Sequence, residues 1–340
     1  MAISYLLGRT APGRQLFFMT SFNGLVPQSG ADVTESSDHK QYTQKYTGAD
    51  SDTGYTPQDL SIIAPADFIV DHIAATATSG ATKSLRFADL ASQIENSVVT
   101  VPGPFGSNVT ALRKHVKTRG GTGSDPQCPL LHQRVGTGYA NDPDPLRESY
   151  ITAWQKFQTS GLNSIETQLD ATDPDANWRV IREFKTGGFI DNGVTKWYGD
   201  FRIILLVTET VANGLQWELI CDNRANGLNL VTGVSGSYTQ FWRQTNTTND
   251  IPSDAWIKID TYIRRAQNYD DLTTGRAIVT ITPASTMTPV VIFDISGGRF
   301  TGYNDLPWNR IFYTNDYSGG ALPIDSYITD LQLWDRPPSF

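Results

Sequence analysis

Cysteine is nearly absent: Cys128 and Cys221 are the only two in 340 residues, and histidine contributes four. No Cys and His set has zinc spacing, so a zinc-organised scaffold is excluded. Cys221 falls in an alternating strand pattern and reads as a small buried hydrophobe, with a disulfide to Cys128 as the other reading. Long apolar runs are missing as well. No stretch reaches the ~18 apolar residues that a membrane-crossing helix needs. The opening MAISYLLGRTAPGRQLFF lacks the basic-then-apolar order of a signal peptide. The expectation is a soluble chain without an export signal and with no membrane partner. Positive charge is in deficit, since 27 Lys and Arg against 35 Asp and Glu leave a net charge of −8. A general nucleic-acid binder needs clustered Lys and Arg to neutralise phosphates, so nucleic acid is not an expected partner either. No fixed-period repeat occurs, which removes propellers and solenoids.

Charged residues make up only 18% of the chain while Gly alone numbers 29, a balance that favours strands joined by turns. Residues 1–59 read as an extended arm that can contribute the first strand. After one apolar patch it is rich in Ser, Thr, Asp and Gly, with Tyr42, Tyr46 and Tyr55 placed to pin it to a neighbouring surface. Residues 60–340 read as one all-β domain. KSLRFADLASQIEN is its single short helix, capped by Ser84 or Asp89. Residues 120–147, with four prolines, read as a long irregular loop.

The later half is regular. In ESYITAWQKFQ, Tyr150, Thr152, Trp154 and Lys156 alternate with Ile151, Ala153 and Phe157. NWRVIREFK follows, then FRIILLV, whose unbroken apolar run predicts a strand covered on both sides. LQWELICDN divides into Leu215, Trp217, Leu219 and Cys221 against Gln216, Glu218 and Asp222, which predicts one dry face and one solvated face. AWIKIDTYIRR, RAIVTIT, VVIFDIS, RIFYTNDY and SYITDLQLWD complete a series punctuated by turn residues, the rhythm of a sandwich or barrel.

Three parts of this series carry a resemblance to a known family: WRVIREFKTGG with FRIILLV and LQWEL, DAWIKIDTYIRR through TGRAIVTI to VVIFDISGG, and the closing YSGGALPIDSYITDLQLWDRPP. They resemble the concanavalin A-like lectin/glucanase superfamily, and within it the jelly-roll domains related to polysaccharide lyases. The resemblance covers roughly residues 60 to 340, with MTSFNGL near Phe22 as the matching first strand, beside which the last strand would pair. It implies an antiparallel two-sheet jelly-roll sandwich with a concave face for an extended glycan.

A sugar offers apolar CH faces and many hydroxyls, so its site needs aromatics beside planar polar groups. The carbohydrate-binding candidates on strands are Arg182, Lys185, Gln216, Glu218, Trp242, Tyr262 and Arg264. Arg182 alternates with Val180 and Phe184, an apolar face on which a charge needs a partner. Glu218 is the partner the sequence offers. No E-x-D-x-x-E spacing occurs, which disfavours a retaining glucanase. A polysaccharide lyase needs a cation for the uronate carboxylate and an acid and base at the α-proton. His132, Gln133 and Arg134, with Tyr313 or Tyr317, are the residues for that role, with His115 and Arg113 as a second set. Asp-rich turns (Asp191, Asp222, Asp270 with Asp271) and above all Asp330 are the calcium candidates.

Two function classes follow. The main reading is a non-catalytic jelly-roll surface protein of an assembly, homo-oligomeric or part of a larger particle, that binds glycan or neighbouring subunits. With its arm and no export signal, it looks like tailed-phage virion decorations or fibres. The alternative is a lyase or depolymerase acting on uronate-containing glycans.

Overall fold

The computed structural model describes residues 16–22, 26–27, 44–47, 66–70, 73–74, 94–116, 126–127, 130–134, 147–166, 178–185, 189–191, 194–196, 200–210, 212–224, 239–302, 310–314, 317–318, 324–334 and 336–338. In chain order the strands begin with β1 (Leu16–Thr20), β2 (Val26–Pro27), β3 (Gln44–Thr47), β4 (Ala66–Val70), β5 (Ile73–Ala74), β6 (Ile94–Pro102) and β7 (Asn108–Val116). β8 (Pro126–Gln127), β9 (Leu130–Arg134) and β10 (Glu148–Phe157) precede the one described helix, α1 (Thr159–Glu166). There follow β11 (Trp178–Lys185), β12 (Phe189–Asp191), β13 (Val194–Lys196), β14 (Asp200–Thr210), β15 (Gly214–Arg224) and β16 (Thr239–Asn246). β17 (Trp256–Arg264), β18 (Arg276–Pro283), β19 (Val290–Ser296), β20 (Arg310–Thr314), β21 (Tyr317–Ser318) and β22 (Ile324–Trp334) complete the chain.

The strands form two antiparallel sheets. The first runs β19-β18-β17-β10-β22-β7-β6, with β1 also paired to β22. The second runs β16-β15-β14-β11-β20-β9-β4-β3-β2, with β21 on β11. The arm supplies a first strand that lies beside the last one as the resemblance implied, with Leu16 opposite Trp334 and Thr20 opposite Leu331. Beyond the expectation it also supplies β2 and β3 at the end of the second sheet. Two further pairs, β12-β13 and β5-β8, form separate two-stranded sheets. This is an all-β, two-sheet sandwich of jelly-roll type.

One core lies between the sheets. The first sheet contributes Ile151, Ala153 and Phe157 of β10, Ile257, Ile259 and Ile263 of β17, and Ile328, Leu331 and Leu333 of β22. The second contributes Phe184, Phe201, Ile203, Leu205, Val207, Trp217, Leu219 and Cys221. The alternation predicted for β10 and β15 matches these inward rows, and Ile203 to Val207 are buried on both faces as the apolar run foretold. Cys221 is a free, buried thiol whose Sγ lies 3.3 Å from the Arg299 carbonyl, so it is not in a disulfide. Cys128 lies outside the described residues.

Three expectations need correction. Leu130 to Arg134, assigned to a loop, form β9, which pairs with β20 on one side and β4 on the other. Residues 94–96, at the end of the expected helix, belong to strand β6, and residues 81–93 lie outside the described residues. The helix that does form is α1, where Leu162 and Ile165 enter the core. The Gln158 carbonyl accepts from Leu162 N at 3.1 Å, and Asp254 accepts from the Thr159 amide at 3.3 Å, so both cover the helix start.

Arg182 settles differently from the sequence reading. The β11–β14 register slips between Val180 and Arg182, so Val180 opposes Leu206 on the outward face while Arg182 opposes Leu205 on the inward one. Arg182 is fully buried and spans the sandwich: Nη1 donates to the Ile151 carbonyl at 3.0 Å and to the Thr261 hydroxyl at 2.8 Å. Burial lowers its pKa to about 10, with the Asp260 and Tyr150 charges opposing that drop, so it stays protonated at neutral pH. Glu218 points to the opposite face, and no Arg182–Glu218 pair forms.

Arg182→Ala would leave a buried carbonyl and hydroxyl unpaired beside a cavity, a loss of about 3–5 kcal/mol. Arg182→Met, which keeps the volume, is expected to lose about half as much. Urea unfolding midpoints measure both. An unchanged midpoint for Arg182→Ala would show that the guanidinium does not tie the sheets together.

Candidate functional site

Residues directly opposite one another in an antiparallel sheet share a face, so register alone assembles a surface. Across seven strands of the second sheet one row runs Asp67, Gln133, Arg310, Lys185, Arg202, Asp222 and Gln240. Every member is polar, and Arg310, Lys185 and Arg202 are consecutive. Strands lie about 4.8 Å apart, so the three cationic positions span roughly 10 Å. The row belongs to the outward face, because the neighbouring row of Phe184, Ile203 and Cys221 faces the core.

Arg202 anchors this surface. Its Nε donates to Asp222 Oδ1 at 2.6 Å and its Nη2 to Asp222 Oδ2 at 3.1 Å, while Glu183 Oε1 lies 3.5 Å from Nη1. Asp222 is fully buried and Glu183 nearly so. Asp222 is thus a strand residue committed to an arginine, which corrects its assignment to a calcium-binding turn.

Further along β14 and β15, Thr208, Gln216 and Glu218 form a second polar group over an apolar floor of Val180, Ile204, Leu206 and Ile220. Gln216 Nε2 donates to the Thr208 hydroxyl at 3.3 Å, and that hydroxyl donates to Glu218 Oε2 at 3.3 Å. Arg243 Nε stands 2.8 Å from Glu218 Oε1 but is half exposed, so the pair is partly screened. This face was expected to be solvated. Gln216 is only 4% exposed and Glu218 3%, so it is buried and polar instead. Desolvation raises the Glu218 carboxyl above its usual 4.5, with Arg243 and the Thr208 hydroxyl opposing the rise.

The remaining candidates do not join this face. The Trp242 indole donates to the Arg299 carbonyl at 2.8 Å and its ring packs on Phe300, so it closes the core edge. Tyr262 and Arg264 lie on the outward face of the first sheet, on the far side of the sandwich. The Tyr262 hydroxyl donates to Glu148 at 2.7 Å, and burial followed by that carboxylate raises its pKa strongly. Arg113 and His115 both engage Asp325, with Arg113 Nε and His115 Nδ1 each 2.9 Å from Oδ1.

For His132, Arg134, Tyr313, Lys185 and Arg310 the structure describes the backbone. His132 is in register with Ile311, and through it with Phe184. Arg134 opposes Ala66. Tyr313 occupies the break in register between Phe312 and Thr314. His132, Arg134 and Tyr313, lyase candidates drawn from two distant stretches of sequence, thus lie on adjacent paired strands. Asp330 has a positive φ of 50° at the irregularity where β22 meets β10. Among the described residues no group of three or more His, Cys, Asp or Glu could hold a metal ion. Asp271 serves its own loop, accepting from the amides of Gln267, Thr273 and Thr274.

Sequence reasoning missed Arg202 and Arg310. Arg202 is the second residue of the apolar run FRIILLV and Arg310 opens RIFYT, and only strand pairing reveals that they flank Lys185.

No protein-family model matches the chain, and no curated protein matches it. Solved structures do show likeness. The endo-β-1,4-glucuronan lyase from the fungus Trichoderma reesei is 10% identical with a TM-score of 0.40, over 70% of this chain and 87% of that one. The marine PL-14 alginate lyase from Aplysia kurodai is 11% identical with a TM-score of 0.40, over 78% of this chain and 98% of that one. A legume lectin-like domain from Entamoeba histolytica is 7% identical with a TM-score of 0.33, over 71% and 92%. At such scores the likenesses carry no functional weight.

Because its folded-state pKa is raised, Glu218 holds a proton more tightly in the folded chain, and its ionised form weakens folding as pH rises through the carboxyl range. Glu218→Gln is therefore expected to be at least as stable as the native protein at neutral pH. The gain should vanish as pH falls below 4.5, the ordinary carboxyl value. Urea titrations across pH check this, and a variant that is less stable at neutral pH contradicts it.

Proposed function

We propose that this chain is a polysaccharide lyase acting on uronate-containing glycans at the outward face of its second sheet. One observation carries the reading: Arg310, Lys185 and Arg202 occupy neighbouring positions in a single cross-strand row. A uronate carboxylate makes the adjacent C–H too weakly acidic to lose its proton unless its charge is neutralised, and a line of fixed cations supplies that neutralisation. Lys185 and Arg310 take this role, while Arg202, already shared by Asp222 and Glu183, sets the field and positions the row.

The reaction is a β-elimination. A base removes the proton next to the carboxylate, the C–H electrons become a C=C bond, and the glycosidic C–O bond breaks. An acid returns a proton to the departing oxygen. Tyr313 is the proposed acid–base group, since a break in register is where sheets re-aim side chains, and it lies three positions from Arg310 on β20. His132 and Arg134 flank Gln133 on β9 and fall in line with core-facing Phe184 and with Ala66, so they belong to the other face and take no part in the proposed reaction. The hydroxyls of the sugar would be held by amides such as Gln133.

A second reading is a non-catalytic module that binds glycan or neighbouring subunits within an assembly. It is favoured by the acid content of the face, where Glu183 and Asp222 enclose Arg202. A place on a particle surface, in a homo-oligomer or a larger assembly, belongs to this reading alone.

Incubating the protein with alginate and glucuronan, and following ultraviolet absorbance of the unsaturated product, tests the proposal. Lys185→Ala and Arg310→Ala should each lower turnover by about a hundredfold, the scale of losing one stabiliser of transition-state charge. Tyr313→Phe should lower kcat more than KM. Binding without turnover would favour the module, and turnover unaffected by these variants would remove the row from catalysis.

A further inference from the structure

Arg264, separated from the second sheet by the whole sandwich, borders a cavity of about 360 Å³ on the outward edge of the first sheet. It is lined by Arg147, Glu148, Arg264, Gln267 and Thr274. That volume is at the small end of ligand pockets and suits one sugar ring.

The pocket is built on strand pairing. Glu148 at the start of β10 directly opposes Arg264 at the end of β17. Just outside that pair the Arg147 carbonyl accepts from Arg265 N at 2.9 Å, which fixes the backbone on which Arg147 stands. On the other side, Arg264 Nε donates to the Thr274 carbonyl at 2.7 Å, tying the strand to the loop that follows it. That loop is closed by Asp271, which accepts from Gln267 N at 2.9 Å and Thr274 N at 3.1 Å. Both walls of the cavity are therefore fixed.

Its polar groups are unevenly satisfied. Glu148 already accepts from the Tyr262 hydroxyl, which orients its carboxylate. Arg276, facing Arg264 from β18, is held by Asp294 through two bonds of 3.0 and 2.9 Å. The terminal nitrogens of Arg264 carry no hydrogen bond among the described residues, and the Arg147 side chain has neither hydrogen bond nor ion pair there. Two guanidinium groups with unused donors thus border one cavity on a chain of net charge −8. Guanidinium donors match the two oxygens of a carboxylate, while Glu148 and Gln267 offer acceptors to hydroxyls.

We propose that this pocket binds a sugar acid, with the carboxylate between Arg147 and Arg264 and ring hydroxyls on Glu148 and Gln267. It is a second glycan site, independent of the row on the other sheet and of any catalysis there. With both sites occupied, one chain would hold an acidic polysaccharide at two points and raise its local concentration at the other face.

Calorimetric titration of the full chain at low salt with glucuronate, a glucuronate oligosaccharide, glucose and inorganic phosphate tests the pocket. Glucuronate should bind, and glucose and phosphate should bind at least tenfold more weakly. A preference for the oligosaccharide would identify a polymer site, and equal affinity a site for a single ring. Arg147 is exposed, so its variants should keep the native unfolding midpoint. Arg147→Ala should weaken glucuronate binding by about tenfold, the scale of one charged hydrogen bond, and Arg147→Glu should abolish it. Neither should alter lyase turnover on short substrates, and Lys185→Ala should leave glucuronate binding at the pocket intact. The proposal fails if native protein does not bind glucuronate, if phosphate or glucose binds equally well, or if Arg147→Glu binds like the native chain.

Discussion

Between Val180 and Arg182 the pairing of β11 with β14 slips by one residue, leaving Ile181 as the extra position. Both Ile181 and Arg182 then face the core, and every later residue of β11 changes sides relative to unbroken alternation. Without the slip Arg182 would lie outward opposite Ile204, and Lys185 would lie opposite inward-facing Phe201. With it, Arg182 links the two sheets through Ile151 and Thr261, while Lys185 falls in line with Arg202 and Arg310. The structural tie and the cationic row are two consequences of one bulge.

The surroundings fit this arrangement. A buried guanidinium is tolerated only where carbonyl and hydroxyl acceptors meet it, and β10 and β17 supply them from the opposite sheet. Outside, Arg202 is closed in by Asp222 and Glu183, leaving Lys185 as the central cationic position of the row. The Glu218 and Gln216 group lies over an apolar floor on the same face.

Much of the architecture was legible in the sequence because period-two alternation records which side of a strand is dry. β10 and β15 could be divided into faces residue by residue, the unbroken apolar run of β14 marked a strand covered on both sides, and the pairing of β1 with β22 followed from the resemblance of the C-terminal strand. What alternation cannot record is a break in itself, which is why Arg182 was matched to Val180 and to Glu218. α1 was missed since Leu162 and Ile165 are its only strong apolar positions and Gly161 weakens the helical signal. The site was less legible than the fold. Its row joins residues from Asp67 to Arg310, and membership depends on register between distant strands, a property no local pattern carries. The listing of one set of sugar-binding residues likewise merged two faces, because Tyr262 and Arg264 share the composition of a site with Lys185 without sharing its sheet.

The most direct measurement is a crystal structure of the Tyr313→Phe variant with an acidic tetrasaccharide bound. The account predicts sugar carboxylates within about 3 Å of the Lys185 and Arg310 side-chain nitrogens, on the outward face of the second sheet. An oligosaccharide seated elsewhere, with that row facing only water, would contradict it.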